Sequence, residues 1–186
     1  YSSTIFAPFG HAVWRYDGIV NGTNQFTDLG FTIGNNLFPS TTMPPGLMRI
    51  ERWVLYAGHT VYLGVTPDSR GHEWTPVGLY KATALDTAQR LALPSGAVAW
   101  DLLVGSDGRL YVLANIPINS TQHLVIVYVT VDLTSWTEVL RFTRTDGTFA
   151  RSFEMLNGDF YFGLGGAGSA PPPTTGDILR VARAAL

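Results

Sequence analysis

Arg52, Asp101, Arg151 and Glu154 are the residues whose types and spacing could do chemistry. Each lies in or beside an apolar run that leads into a glycine turn, and so on or next to the first strand of a hairpin. Glycoside hydrolysis needs two carboxyl groups roughly 5–10 Å apart across the bond being cut. Asp101 and Glu154, both on inner strands, are the candidates for that pair. Arg151, beside the third inner strand, and Arg52, at a comparable place in the first, could bind an anionic group. The plainer alternative has these four pairing with one another or facing a solvated channel. No catalytic residue is assigned outright from the sequence.

Three hairpin-like segments would position them. They read Trp53-Val-Leu-Tyr-Ala-Gly58-His-Thr-Val-Tyr62, Asp101-Leu-Leu-Val-Gly-Ser-Asp-Gly108-Arg-Leu-Tyr111 and Phe153-Glu-Met-Leu-Asn-Gly158-Asp-Phe-Tyr161. Each is an apolar run, a turn ending in glycine and a second apolar run carrying a tyrosine. Tyr62, Tyr111 and Tyr161 fall 49 and 50 residues apart. A period of this size built only of strands points to propeller blades or a related repeated sheet. The first unit, 47–93, pairs 50–55 with 60–65 and adds strands near 77–82 and 90–93. The second, 94–142, pairs 100–104 with 109–114 and adds 123–131 and 137–142. The third, 143–186, pairs 152–156 with 159–164 through Asn157-Gly158, adds 177–182, and stops short of a fourth strand.

Residues 1–33 supply two strands, 12–17 and 25–33, with no inner hairpin, and 34–46 is a Pro/Thr/Asn-rich linker. An unfinished last unit and orphan first strands suit ring closure, in which one terminus completes the sheet begun by the other. The expected fold is therefore an all-β partial β-propeller of about three and a half four-stranded blades, too few for a ring of four to eight. The chain, which opens at Tyr1, would be part of a larger ring, with a β-sandwich of accidental spacing as the alternative.

Thr130-Val-Asp132-Leu-Thr-Ser-Trp136 resembles the Ser/Thr-x-Asp-Leu-x-x-Trp blade segment of five-bladed glycosidases of the arabinanase and levansucrase type. It is also similar to a shortened Asp box of sialidase-like propellers. Asp68-Ser-Arg-Gly71-His-Glu-Trp74 is a poorer echo that lacks the Asp at the expected spacing. The resemblance implies that Asp132 binds turn amides and that Trp136 packs between blades, as fold-building residues. It transfers no catalytic residue. Sialidases use three arginines and a Tyr–Glu pair, and no matching motif occurs here.

Composition excludes more than it assigns. Hydrophobic residues make up 46% and charged residues 14%, against roughly 25% charged in an ordinary soluble domain. The net charge of −2, without a basic cluster, argues against nucleic acid. The longest apolar run, 124–131, is far short of a membrane helix. With no cysteine, disulfides and zinc–thiolate sites are absent. His11, His59, His72 and His123 lie far apart without ligand spacing, so no metal or cofactor is expected. Asn21-Gly-Thr23 and Asn119-Ser-Thr121 are glycosylation sequons, meaningful only in a secreted chain.

Low charge, aromatic content and an incomplete ring favour a non-enzymatic propeller, binding or structural, on a cell or virus surface or in a multi-subunit complex. Its partner would be the remainder of the propeller or another copy of the chain. The alternatives are the C-terminal half of a sialidase-like or arabinanase-like glycoside hydrolase, and a lectin that stacks glycans on loop aromatics such as Trp74.

Overall fold

Apolar–polar alternation broken by glycine turns produces thirteen strands among the residues described by the computed structural model, 12–32, 49–67, 74–82, 88–166 and 174–182. No α-helix occurs among them. The strands are β1 (Ala12–Val20), β2 (Thr23–Thr32), β3 (Arg49–Tyr56), β4 (His59–Pro67), β5 (Trp74–Ala82), β6 (Gln89–Leu91) and β7 (Val98–Val104). They continue as β8 (Leu110–Pro117), β9 (His123–Thr130), β10 (Thr137–Arg144), β11 (Thr148–Leu156), β12 (Asp159–Gly166) and β13 (Ile178–Val181). They form four open antiparallel sheets, ordered β1-β2, β3-β4-β5-β6, β7-β8-β9-β10 and β11-β12-β13. The chain divides into two compact units, Tyr1–Arg90 and Leu91–Leu186.

In the first unit, β1 and β2 pair directly with each other. The two strands expected at 12–17 and 25–33 are both present, and they run further toward the turn, β1 to Val20 and β2 from Thr23. The Asn21-Gly22 turn brings the chain straight back, both residues at positive φ (51° and 76°). This is the backbone that a two-residue hairpin matched to strand twist requires. The β3–β4 turn has the same form with Ala57 at φ 49° and Gly58 at φ 77°. Alanine has no side chain that stabilises this left-handed conformation. Ala57→Asn is therefore expected to raise stability by about 0.5–1 kcal/mol, read as a higher urea midpoint with unchanged slope. Trp74, expected in a loop, is the first residue of β5 and pairs with Pro67. The 34–46 segment, Asp68, His11 and His72 lie outside the described residues.

In the second unit the four-stranded β7–β10 sheet packs face to face on β11–β13. Leu113, Val125 and Val127 meet Ala150, Phe153 and Phe162 in one core. The opposite face of β8 and β9 is buried as well, where Ala114, Ile126 and Tyr128 pack with Leu93, Ala97 and Trp136. Burial on both sides explains why β9 reads as an unbroken apolar run over 124–129, with no alternation to reveal its faces.

The three long hairpins share a defect at one place. Each first strand carries a one-residue bulge, at Glu51, Trp100 and Arg151, after which Arg52 pairs with Leu63, Asp101 with Leu113 and Ser152 with Gly163. The partners 63, 113 and 163 recur at intervals of 50 residues. This register corrects two expected equivalences. Arg151 matches Glu51, and Arg52 instead matches Asp101 and Ser152. Tyr111 and Tyr161 share a rung with Val61, whereas Tyr62 sits one rung away with Val112 and Phe162. Neighbouring strand residues face opposite sides, so Tyr62 occupies the other face from the other two tyrosines. There it stacks on Tyr80 at 5.6 Å between ring centroids. Burial, and secondarily Tyr80, raises its hydroxyl pKa far above the ordinary value.

Candidate functional site

Asp101 follows the β7 bulge and is only 3% exposed. Its Oδ1 accepts the Leu102 amide at 2.8 Å, and its Oδ2 accepts the Phe153 amide of β11 at 3.0 Å. A buried carboxylate is tolerated only when such donors replace its hydration. Asn115 on β8 adds a second link, its Nδ2 donating to the Ala150 carbonyl of β11 at 2.7 Å. Both polar side chains therefore satisfy the first strand of the next sheet and hold the two sheets in register. Asp101 does not present a free carboxylate to a ligand.

Arg151 is held by aromatic rings. Its guanidinium carbon lies 5.6 Å from the Trp100 ring centroid and 5.9 Å from that of Phe149. Trp100 and Phe149 are themselves in contact, 4.6 Å between centroids. The Arg151 stem crosses Gly165, where a Cβ would fall 2.0 Å from Arg151 Cδ, so the flat strand is needed to seat it. Bulge residues of successive hairpins, Trp100 and Arg151, thus stack on one another, which accounts for Arg151 structurally. Arg52 is exposed on β3 in the first unit.

His123 ends this cluster, 5.3 Å from Phe149 and paired across the ladder with Arg144. Burial lowers its pKa below 6.5, so the folded state favours neutral imidazole. The unfolded chain then binds more protons on acidification, and stability is expected to fall as pH drops through the ordinary histidine range toward the depressed folded value. Urea midpoints should be lower at pH 5.5 than at pH 7.5, and His123→Gln should narrow that difference.

Glu154 differs from Asp101 in being exposed. It lines a cleft of about 520 Å³ at the hairpin ends of β7–β8 and β11–β12, with Leu103, Val104, Ser106, Asp107, Met155 and Asn157. The Glu154 Oε1 accepts the Met155 amide at 2.9 Å, and no cation pairs with this carboxylate among the described residues. Asp107 Oδ2 accepts the Tyr111 hydroxyl at 2.7 Å, and Oδ1 accepts the Arg109 amide at 3.1 Å. Desolvation alone would raise the Asp107 pKa, but the Tyr111 and Arg109 contacts outweigh it and hold the carboxyl below its usual range. The cleft thus carries ionised Asp107 with Glu154 over a partly apolar lining. Sequence reading used Ser106-Asp107-Gly108 only as a turn; the Asp that such a turn favours was the available signal.

At the β9–β10 connection, Asp132 Oδ1 accepts the Thr134 and Ser135 amides at 2.8 and 2.7 Å. These donors, Ser135 first, hold its carboxyl well below the usual carboxylate range. Thr130 Oγ1 accepts the Asp132 and Leu133 amides, and Leu133 takes a positive φ of 61°. Trp136 packs against Ala114, Ile126 and Tyr128. Tyr161, on the rung of Tyr111, is half-buried opposite Glu154 and Arg180. Among the described residues, no group of three or more His, Cys, Asp or Glu is placed to hold a metal, and no helix is long and apolar enough to cross a membrane. Comparison with known proteins finds no matching family, curated protein or solved structure.

Proposed function

We propose that this chain is a non-enzymatic β-propeller module for binding or structural assembly, part of a larger ring completed by further chain or by another copy. A place at a cell or virus surface or in a multi-subunit complex suits its low charge. The observation that carries the reading is Asp101, which the hydrolase alternative needs as a free carboxylate and which instead binds two backbone amides between neighbouring sheets. The shared bulge, the burial of both faces of β8 and β9 and the likeness of the Asp132–Trp136 segment to propeller blade boxes support the same conclusion.

Native mass tests it. A ring-completing subunit is expected to run as an assembly heavier than the 20.3 kDa chain, and a stable monomer would count against it. The hydrolase alternative retains Glu154 and would recruit Asp107 from the same cleft. Hydrolysis of aryl glycosides by the complete ring, lost on Glu154→Gln, would establish that alternative in place of the module.

A further inference from the structure

We infer that the cleft between the β7–β8 and β11–β12 hairpin ends binds the guanidinium side chain of an arginine presented by a protein partner. The inference rests on the binding-module reading and names the chemistry of its partner. Three properties of the cleft select such a ligand. It is large enough, at about 520 Å³, to admit an extended side chain. Leu103, Val104 and Met155 offer apolar contact for an aliphatic stem, and Val104 remains substantially exposed in the free protein. Asp107 is held ionised by Tyr111 and Arg109, while the Glu154 carboxylate has only its neighbour's amide as a hydrogen-bond donor among the described residues.

Among the described residues, the cation that pairs with Asp107 is Arg109, which approaches it only to 3.8 Å and is largely exposed, a weak pairing in water. An anionic ligand would meet two carboxylates and is disfavoured. A neutral sugar would leave Glu154 without a charged partner. A guanidinium satisfies a carboxylate through two parallel hydrogen bonds and keeps its charge at every physiological pH. Asn157 and Ser106, at the two turns, place further polar groups beside it.

The probe is the peptide acetyl-Gly-Arg-Gly-amide, with its citrulline counterpart as a neutral isostere, titrated while the amide resonances of Asn157 and Gly158 are followed by NMR. Saturable shifts at those amides are expected, with the citrulline peptide about tenfold or more weaker, as loss of a charge-assisted pair implies. Binding should weaken as salt rises. Glu154→Gln, which keeps the oxygen that accepts the Met155 amide, should also lose about tenfold. Asp107→Asn is a second variant, checked for an unchanged spectrum away from the turn. Absence of saturable shifts, equal binding of the citrulline peptide, indifference to Glu154→Gln, or equal affinity for free agmatine would each overturn the inference. Aryl glycoside hydrolysis by the same preparations separates the two readings. Turnover lost with Glu154→Gln sinks the module itself, whereas failed peptide binding without turnover sinks only the arginine cleft.

Discussion

Asp101→Asn is expected to destabilise the unit Leu91–Leu186 by about 2–3 kcal/mol, seen as a lower urea midpoint with unchanged slope. Asparagine keeps the size of the side chain but supplies only one carbonyl oxygen. The other position becomes an NH₂ facing either the Leu102 or the Phe153 amide, both of which are donors. One backbone N–H is then buried without an acceptor, and the lost hydrogen bond was charge-assisted. Asn115→Ala makes the contrast. It removes one neutral bond to Ala150, but it also removes an Oδ1 that has no hydrogen-bond partner, so a loss nearer 1 kcal/mol is expected. The result also discriminates between functions. A catalytic Asp101 would give a stable, inactive asparagine variant, whereas a sheet-to-sheet latch gives an unstable one.

The hairpins were legible because glycine turns punctuate the sequence, whereas their register was not. A bulge adds one residue to a strand without changing its composition, so nothing marks Glu51, Trp100 or Arg151 before pairing is seen. Aligning on tyrosines hid the slip, although Tyr62 follows Gly58 by four residues while Tyr111 and Tyr161 follow their glycines by three. With a side-chain period of two, that single residue moves Tyr62 to the other face.

Asp101 and Glu154 looked alike for a related reason. Both are acids within apolar first strands, and polarity alone does not distinguish a carboxylate turned to solvent from one turned to the backbone of a neighbouring sheet. Around Asp101 the β7 sequence Val98-Ala-Trp-Asp-Leu-Leu-Val104 is apolar at all the remaining positions, so no alternation reports which way its carboxylate faces.

Phe162→Ala is expected to cost more than any other single change considered, about 3–5 kcal/mol. Phe162 is fully buried at the centre of the core shared by the two packed sheets. Its ring meets Phe142 of β10 edge-on at 5.2 Å and stacks near Phe153 and Phe160 at 6.3 and 6.1 Å. Truncation removes one ring from a group of four and leaves a void that strands pinned by ladder hydrogen bonds close only in part. The β11–β13 sheet is the more exposed to this loss. It has three strands, and β13 contributes only two half-buried apolar residues, Leu179 and Val181. Hydrogen exchange in Phe162→Ala should therefore accelerate first in β12 and β13, with β8 and β9 losing protection only at the global limit. Phe162→Leu, which refills most of the volume, should cost about 1–2 kcal/mol. Equal losses for the two variants would show that ring contact, not filled space, holds the sheets together. A near-zero loss for alanine would mean that the two sheets do not share this core.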